Sequence, residues 1–179
     1  MTYNNKNYVI GVYRMINQDY FINLAKEKTG NAIQTVAVAA PHDLATLESL
    51  RNAVDLGFTK AILVGDENII TDVAKEGNLD ISDMELVHAD NLADAAQKSV
   101  DQVTAGKASL IMKGLIDTSV ILKAVVKKEN NLRTGKTLSY VGILFNENRD
   151  KYYLSSDGAM LISPDIEQKK GIIENAVDV

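Results

Sequence analysis

A chain of 179 residues, 46% hydrophobic and 24% charged, is long enough for one domain with a sizeable core and too apolar for a disordered segment. Its net charge of -5 leaves no basic stripe to neutralise a run of phosphates, which excludes an extended nucleic-acid surface but not a single small anion, for which a few donors suffice. With no cysteine, disulfides, Cys-ligated metals and thiol nucleophiles are excluded. No apolar stretch approaches membrane-spanning length, and the N-terminal MTYNNKNYVIG lacks a basic region followed by an apolar core. The expectation is a cytoplasmic protein without membrane association.

Residues 1–8 are polar and Asn-rich. From Tyr13 to Lys28 the apolar residues Ile16, Tyr20, Phe21, Leu24 and Ala25 fall on one helical face, predicting a helix that ends near Gly30. The run Thr35 to Ala40 is short, apolar on both faces and closed by Pro41, which suits a central strand of a parallel sheet. Asp43 is placed to cap the next helix, whose stripe is Leu44, Leu47, Leu50, Ala53, Val54 and Leu56 and which Gly57 stops. Ala61 to Asp66 repeats the strand pattern, Glu67 to Lys75 is a short helix, and Met84 to His88 is a third strand. Asn91 or Asp94 caps a helix through Val103, ended by Gly106, and Ser109 begins a fourth strand.

Strands alternating with amphipathic helices at this spacing imply an α/β fold with right-handed crossovers: a doubly wound, mostly parallel sheet flanked by helices. After Arg133 the rhythm changes. Thr137 to Phe145 and Tyr152 to Leu154 are apolar runs separated by the polar turn Asn146 to Asp150, predicting a β-hairpin near 137–155. Pro164 then marks a helix start, with Asp165 and Glu167 in its first turn and Ile166, Ile172, Ile173 and Val177 on its apolar side. The expected organisation is an N-terminal helical extension over 1–30, a parallel α/β domain over 31–136, and a hairpin and helix over 137–179 that begin a second, truncated lobe.

Chemistry is expected in Ser109 to Ser139. A strand-like run stops at Lys113-Gly114, and Asp117-Thr118-Ser119 opens a helix carrying Val120, Ile121, Ala124 and Val125. At such a junction the first helix amides have no partners within the helix, so an anion gains several hydrogen bonds and the helix dipole. Lys113 adds a full charge, Thr118 and Ser119 add hydroxyls, and Arg133-Thr134-Gly135-Lys136 follows the helix. The same pattern is also the ordinary building block of any parallel α/β domain. It is neither a Walker A loop nor a GxGxxG fingerprint. In a doubly wound sheet the loops Ala40 to Asp43, Gly65 to Glu67 and Lys113 to Ser119 share one edge, where ligands bind.

His42 and His88 sit at strand ends; a loop histidine beside the capping Asp43 reads as structural more readily than as a base. Lys123, Lys127 and Lys128 read as a solvated helix face, with a coenzyme A phosphate as the alternative. Tyr152-Tyr153 reads as hairpin packing.

Several segments in register carry a family resemblance: Gly65-Asp66, Met112 to Thr118, Leu132 to Gly135 with Leu138-Ser139, Ser156 to Met160, and Pro164-Asp165 to Gln168-Lys169 with Ile173 to Ala176. Together, from about Val36 to Val177, they resemble the phosphate acetyl/butyryltransferases. The resemblance implies a two-domain fold related to the isocitrate dehydrogenase-like architecture and reversible acyl transfer between coenzyme A and inorganic phosphate, with acyl-CoA and phosphate as partners, coenzyme A as substrate and no permanently bound cofactor or metal. It implies that Lys113, Gly114, Thr118 and Ser119 line the phosphate or acyl-phosphate position, that Arg133, Thr134 and Ser139 lie near the same cleft, and that Asp157 orients a donor there. Lys113 is the one catalytic candidate. The Ser-Arg-Ser-Asp-type motif that the family carries further along is absent from this sequence, so the chain resembles an N-terminal portion with little transferase activity of its own, expected to associate as a homo-oligomer. The alternative is a non-catalytic acyl-CoA or anion-binding remnant of the family. A third reading, a lobe of a metal-dependent decarboxylating dehydrogenase, lacks a carboxylate cluster around Asp157.

Overall fold

The computed structural model describes residues 23–24, 27–28, 32–146 and 151–179. The helix expected over Tyr13 to Lys28 lies largely outside them; residues 23–24 and 27–28 are helical. The chain divides into two compact units, Lys26–Arg133 and a second that includes Thr134–Val179.

In the first unit, strands β1 (Gln34–Ala39), β2 (Thr59–Gly65), β3 (Glu85–His88) and β4 (Leu110–Lys113) alternate with helices α1 (Leu44–Asp55), α2 (Glu67–Glu76), α3 (Leu92–Thr104) and α4 (Thr118–Val125). All pairings are parallel, in the order β3-β2-β1-β4. The chain therefore builds outward from β1 through β2 to β3, then crosses back to lay β4 on the other side of β1. That reversal puts a topological switch point between β1 and β4, where parallel sheets of this kind open a crevice at their carboxyl ends.

The apolar runs of β1 and β2 are continuous because both faces of the sheet are covered. Val36, Val38, Ala61 and Leu63 point to one side and pack with Leu47 and Leu50 of α1 and Ile70 and Ala74 of α2. Ala37, Ala39, Ile62 and Val64 point to the other, against Ala95, Ala96 and Val100 of α3 and Ile121 and Ala124 of α4. Side chains such as Leu47, Leu63 and Ile70 are fully buried, each contributing roughly 1.5–3 kcal/mol of hydrophobic stabilisation.

Three helices begin at carboxylate or amide caps. Asp43 accepts from the Thr46 amide at 2.9 Å, Asp66 from those of Asn68 and Ile69, and Asn91, rather than Asp94, from that of Asp94 at 3.0 Å. Each such cap stabilises its helix by about 1 kcal/mol. The Arg51 guanidinium of α1 spans both oxygens of Asp83 at 2.6 and 3.1 Å and also donates to the Asp80 carbonyl and to Asp55, which fastens α1 to the connection before β3.

In the second unit, β5 (Gly142–Asn146) and β6 (Lys151–Ser155) form an antiparallel hairpin with Leu144 opposite Tyr153. The hairpin is as expected, but β5 begins at Gly142 rather than Thr137. The preceding residues are bonded elsewhere: Asn175 donates to the Thr137 carbonyl and the Ser139 hydroxyl, both at 2.8 Å, and Asp157 and Ser156 take up the backbone of Tyr140. Helix α5 (Ile166–Asp178) starts from a reciprocal capping box between Asp165 and Gln168. Of the four residues expected on its apolar side only Ile172 is buried; Ile166, Ile173 and Val177 are exposed. Among the described residues, no helix is long and apolar enough to cross a membrane.

Candidate anion site at the carboxyl edge of the sheet

The β1/β4 ladder continues past the strand ends into the loops at the switch point. The Gly114 amide donates to the Ala39 carbonyl and the Leu115 amide to the Ala40 carbonyl, each at 2.8 Å. Ala40 also donates to Val64 of β2 at 2.8 Å and holds a left-handed φ of 53°. This is an unfavourable conformation for a residue with a Cβ. Gly114 is buried directly against this turn. A Cβ on it would collide with the Ala40 carbonyl oxygen and lie 2.9 Å from the Pro41 Cα, so glycine is required here by close backbone approach.

Beyond Gly114 the loop turns tightly, with the Ile116 amide donating to the Gly114 carbonyl at 2.9 Å. Lys113 folds over this turn, its ammonium donating to the carbonyls of Gly114 at 3.3 Å and Ile116 at 3.1 Å. Two of its three donors are thus spent on the loop, which fixes the charge at the edge and leaves one donor for a ligand. Asp117 is the N-cap of α4 but makes no side-chain capping bond. Among the described residues, no acceptor takes the amides of Thr118 or Ser119. Neither hydroxyl caps the helix, contrary to the hydroxyl-capped start that the sequence suggests; both side chains are exposed at its first turn. Lys113, Gly114, Thr118 and Ser119 therefore share one strand–turn–helix junction with unpartnered amides and a fixed cation, the donor set for a small anion.

His42 closes the neighbouring part of the edge. Its Nε2 accepts from the Asp66 amide at 3.1 Å, which fixes the neutral ring with its proton on Nδ1. Burial of the ring lowers its pKa, against the opposing pull of Asp66 and Asp43. The structural reading of this histidine agrees with these contacts. His88 sits on the surface beside Asp90 at 3.2 Å.

Of the remaining candidates, Arg133 and the lysines belong to the first unit, and Thr134, Ser139 and Asp157 to the second. Arg133 donates through Nε to the Val126 carbonyl at 2.7 Å, satisfying the C-terminal end of α4. Lys123, Lys127 and Lys128 are all exposed, and Lys127 donates to Gln97 of α3 at 2.7 Å. In the second unit, Thr134 accepts from the Lys136 amide at 3.3 Å and lies on a cavity of about 540 Å³ shared with Lys136, Thr137, Asp165, Gln168 and Asn175. Ser139 accepts from Asn175. Asp157 accepts from the amides of Tyr140, Met160 and Leu161 at 3.0, 3.2 and 3.0 Å, and these bonds, the Tyr140 one foremost, lower its pKa. Its donors are backbone amides of its own unit. Among the described residues, no three His, Cys, Asp or Glu side chains are grouped so as to hold a metal ion.

No protein-family model matches the chain. It is 40% identical over 147 residues to a phosphate butyryltransferase of Clostridium acetobutylicum, a match covering 82% of this chain and 49% of that protein. It is 32% identical over 160 residues to a phosphate acetyltransferase of Rickettsia typhi, covering 89% of this chain and 46% of the relative. Among solved structures it is similar in fold to a phosphotransacetylase from Streptococcus pyogenes, with a TM-score of 0.71 at 14% identity over 88% of this chain and 56% of that one. The chain spans about half the length of the curated relatives it matches. By this similarity, carried over four-fifths of its own length, the chain belongs to the phosphate acetyl/butyryltransferase family.

Proposed function

We propose that this chain serves the reversible transfer of an acyl group between coenzyme A and inorganic phosphate, acyl-CoA plus phosphate giving acyl phosphate plus coenzyme A, with a butyryl, branched-chain or acetyl group. The observation that carries the reading is the β4–α4 junction, where a cation and unpartnered amides converge, in a chain 40% identical to a phosphate butyryltransferase. A phosphate oxygen attacks the thioester carbonyl carbon, the carbon–sulfur bond breaks, and the thiolate leaves and takes a proton. Negative charge grows on the carbonyl oxygen and the sulfur, so fixed donors accelerate the step. Lys113, the Gly114 turn, Thr118 and Ser119 hold the phosphate in this scheme. Arg133, Thr134, Ser139 and Asp157 serve the same reaction from the segments that follow. Coenzyme A is a substrate, and no permanently bound cofactor is required.

The division into 1–30, 31–136 and 137–179, cytoplasmic residence and homo-oligomerisation belong to the same proposal. Association is supported by the exposed apolar side chains of the hairpin, among them Ile143, Leu144, Phe145 and Leu154.

A second reading, an acyl-CoA or anion-binding module without turnover, is favoured by one observation. The groups best suited to proton transfer are already engaged: His42 Nε2 by the Asp66 amide, and Asp157 by backbone amides. A coupled assay separates the two. Butyryl-CoA or acetyl-CoA is mixed with phosphate and free thiol is followed, for the chain and for Lys113→Ala. Phosphate-dependent release lost in the variant is the expected result for the enzyme. Binding of acyl-CoA without release identifies the module.

A further inference from the structure

We propose that His42 is a positioning residue for the anion site, a latch that holds the loops after β1, β2 and β4 in one arrangement through its neutral ring. The inference rests on the reading of the β4–α4 junction as that site.

The bonds form a closed circuit. The His42 amide donates to the Ala40 carbonyl at 2.8 Å, and that carbonyl also receives the Leu115 amide from the β4 loop. From the other end of the residue, Nε2 receives the Asp66 amide at the head of α2. Gly65 is pressed against the ring, where an added Cβ would lie 2.5 Å from Nε2 and 3.3 Å from Cδ2. Asp66 in turn caps α2 and Asp43, the next residue in the chain, caps α1. One residue, its ring on the Asp66 amide and its own amide on the Ala40 carbonyl, therefore ties the end of β2 to the carbonyl that receives Leu115 of the β4 loop. The strained Ala40 lies within this circuit, and an arrangement of that kind persists only where surrounding bonds over-determine it.

The latch works in one protonation state. Protonated, Nε2 is a donor facing the Asp66 N–H, so the bond is lost and the two dipoles repel. The charged groups acting on the ring are Asp66 and Asp43, which favour the cation, while burial, the larger effect, disfavours it. The folded pKa lies below the ordinary value of about 6.5. The latch is therefore closed at and above that value and opens as pH falls through the lower folded pKa. No other described side chain offers an acceptor to the Asp66 amide.

Sulfate is the probe, because its charge is constant between pH 8 and pH 5, unlike that of phosphate. Sulfate binding to the full chain is measured at pH 7.5 and at a lower pH where NMR shows the His42 ring to be protonated, with amide exchange at Asp66 followed in parallel. The variants are His42→Gln, whose side-chain carbonyl can accept from Asp66 but cannot titrate, and His42→Ala. Wild-type affinity is expected to fall several-fold at the lower pH, His42→Gln to hold near the wild-type pH 7.5 value at both, and His42→Ala to be weak at both. Asp66 is expected to be less protected in the wild type than in His42→Gln at the lower pH only. Equal sulfate affinity in wild type and His42→Ala would overturn the positioning role. If sulfate binds to none of the proteins, the anion-site reading fails, and the latch is then judged by Asp66 exchange alone: protection that does not differ between wild type and His42→Gln once the wild-type ring is protonated removes it as well.

Discussion

Gly114 lies so close to Ala40 that a Cβ added to it would meet the Ala40 carbonyl carbon at 2.8 Å. The contact is between two backbones and has no flexible side chain that could yield. Gly114→Ala must therefore push the β4 loop away from the β1 turn and break the bonds from Gly114 to Ala39 and from Leu115 to Ala40. A loss of about 2 kcal/mol or more is expected, seen as a fall in Tm of roughly 4–8 °C. Gly158→Ala is the control: its added Cβ meets nothing within 4 Å, and its Tm should stay within about 1 °C of wild type. Equal Tm values for the two variants would show that the close approach does not hold the loop.

Lys113 tests the site apart from the fold. Lys113→Met keeps the apolar stem and removes the charge together with the two bonds to the loop carbonyls. The Lys113 side chain is exposed and its two bonds are only part-buried, so water can replace the ammonium and the stability change is small. The loss of a charge-assisted contact to a bound anion is larger. Phosphate affinity measured by calorimetry should fall roughly tenfold, about 1.4 kcal/mol, with Tm little altered. Unchanged affinity would remove Lys113 from the anion site.

The sheet was legible in the sequence because β1 and β2 are apolar on both faces. Alternate residues such as Val36 and Ala37 feed opposite cores, and only a buried parallel sheet needs that. Helix starts were legible from Asp43 and, with Asp94 as the alternative, from Asn91, residues that act locally; Asp66, read with the strand before it, proves to be the cap of α2. The shape of the site was not. Nothing marks Ala40 as a left-handed residue, since alanine is a poor candidate for that conformation, and it is stabilised by partners 24 residues away in β2 and 75 residues away in the β4 loop. The start of β5 was misjudged for a related reason. Thr137 to Val141 has the pattern of a strand, but Asn175 and Asp157, both distant in sequence, claim its backbone and side chains. The bonds of His42 to Asp66 and of Lys113 to its own turn are likewise products of the fold.

Arg51 offers a test of the connection before β3. Its guanidinium meets Asp83 in a two-pronged arrangement and reaches Asp55 and the Asp80 carbonyl as well. These bonds hold the Arg51 pKa above its usual value, the Asp83 bond foremost, and hold that of Asp83 below the usual carboxylate range. A lysine carries the same charge but cannot span both oxygens. Arg51→Lys should therefore lower Tm by a few degrees, and Asp83→Asn should cost little more once Arg51 is replaced. Additive effects in the double variant would mean that the pair does not act as a unit.

Asp157 supplies a prediction with a defined direction in pH. Its carboxylate gathers the amides of Tyr140, Met160 and Leu161, which pins the segment before β5 to the turn after β6. Because these bonds favour the ionised form, the folded pKa lies below that of the unfolded chain, where the group titrates near 3.9. The stabilising contribution is thus fully present above the unfolded value and is lost as pH falls through the folded one. Asp157→Asn retains one oxygen for the amides but loses the charge that strengthens their bonds, and its NH2 group faces donors. The variant should be less stable than wild type at pH 7, with the difference narrowing as pH is lowered through about 4 and below. Urea unfolding followed by tyrosine fluorescence at pH 7, 5 and 3.5 measures this, since hairpin residues Tyr152 and Tyr153 report on the same unit. A constant gap between the two proteins across that range would show that the charge on Asp157 is not what organises the turn.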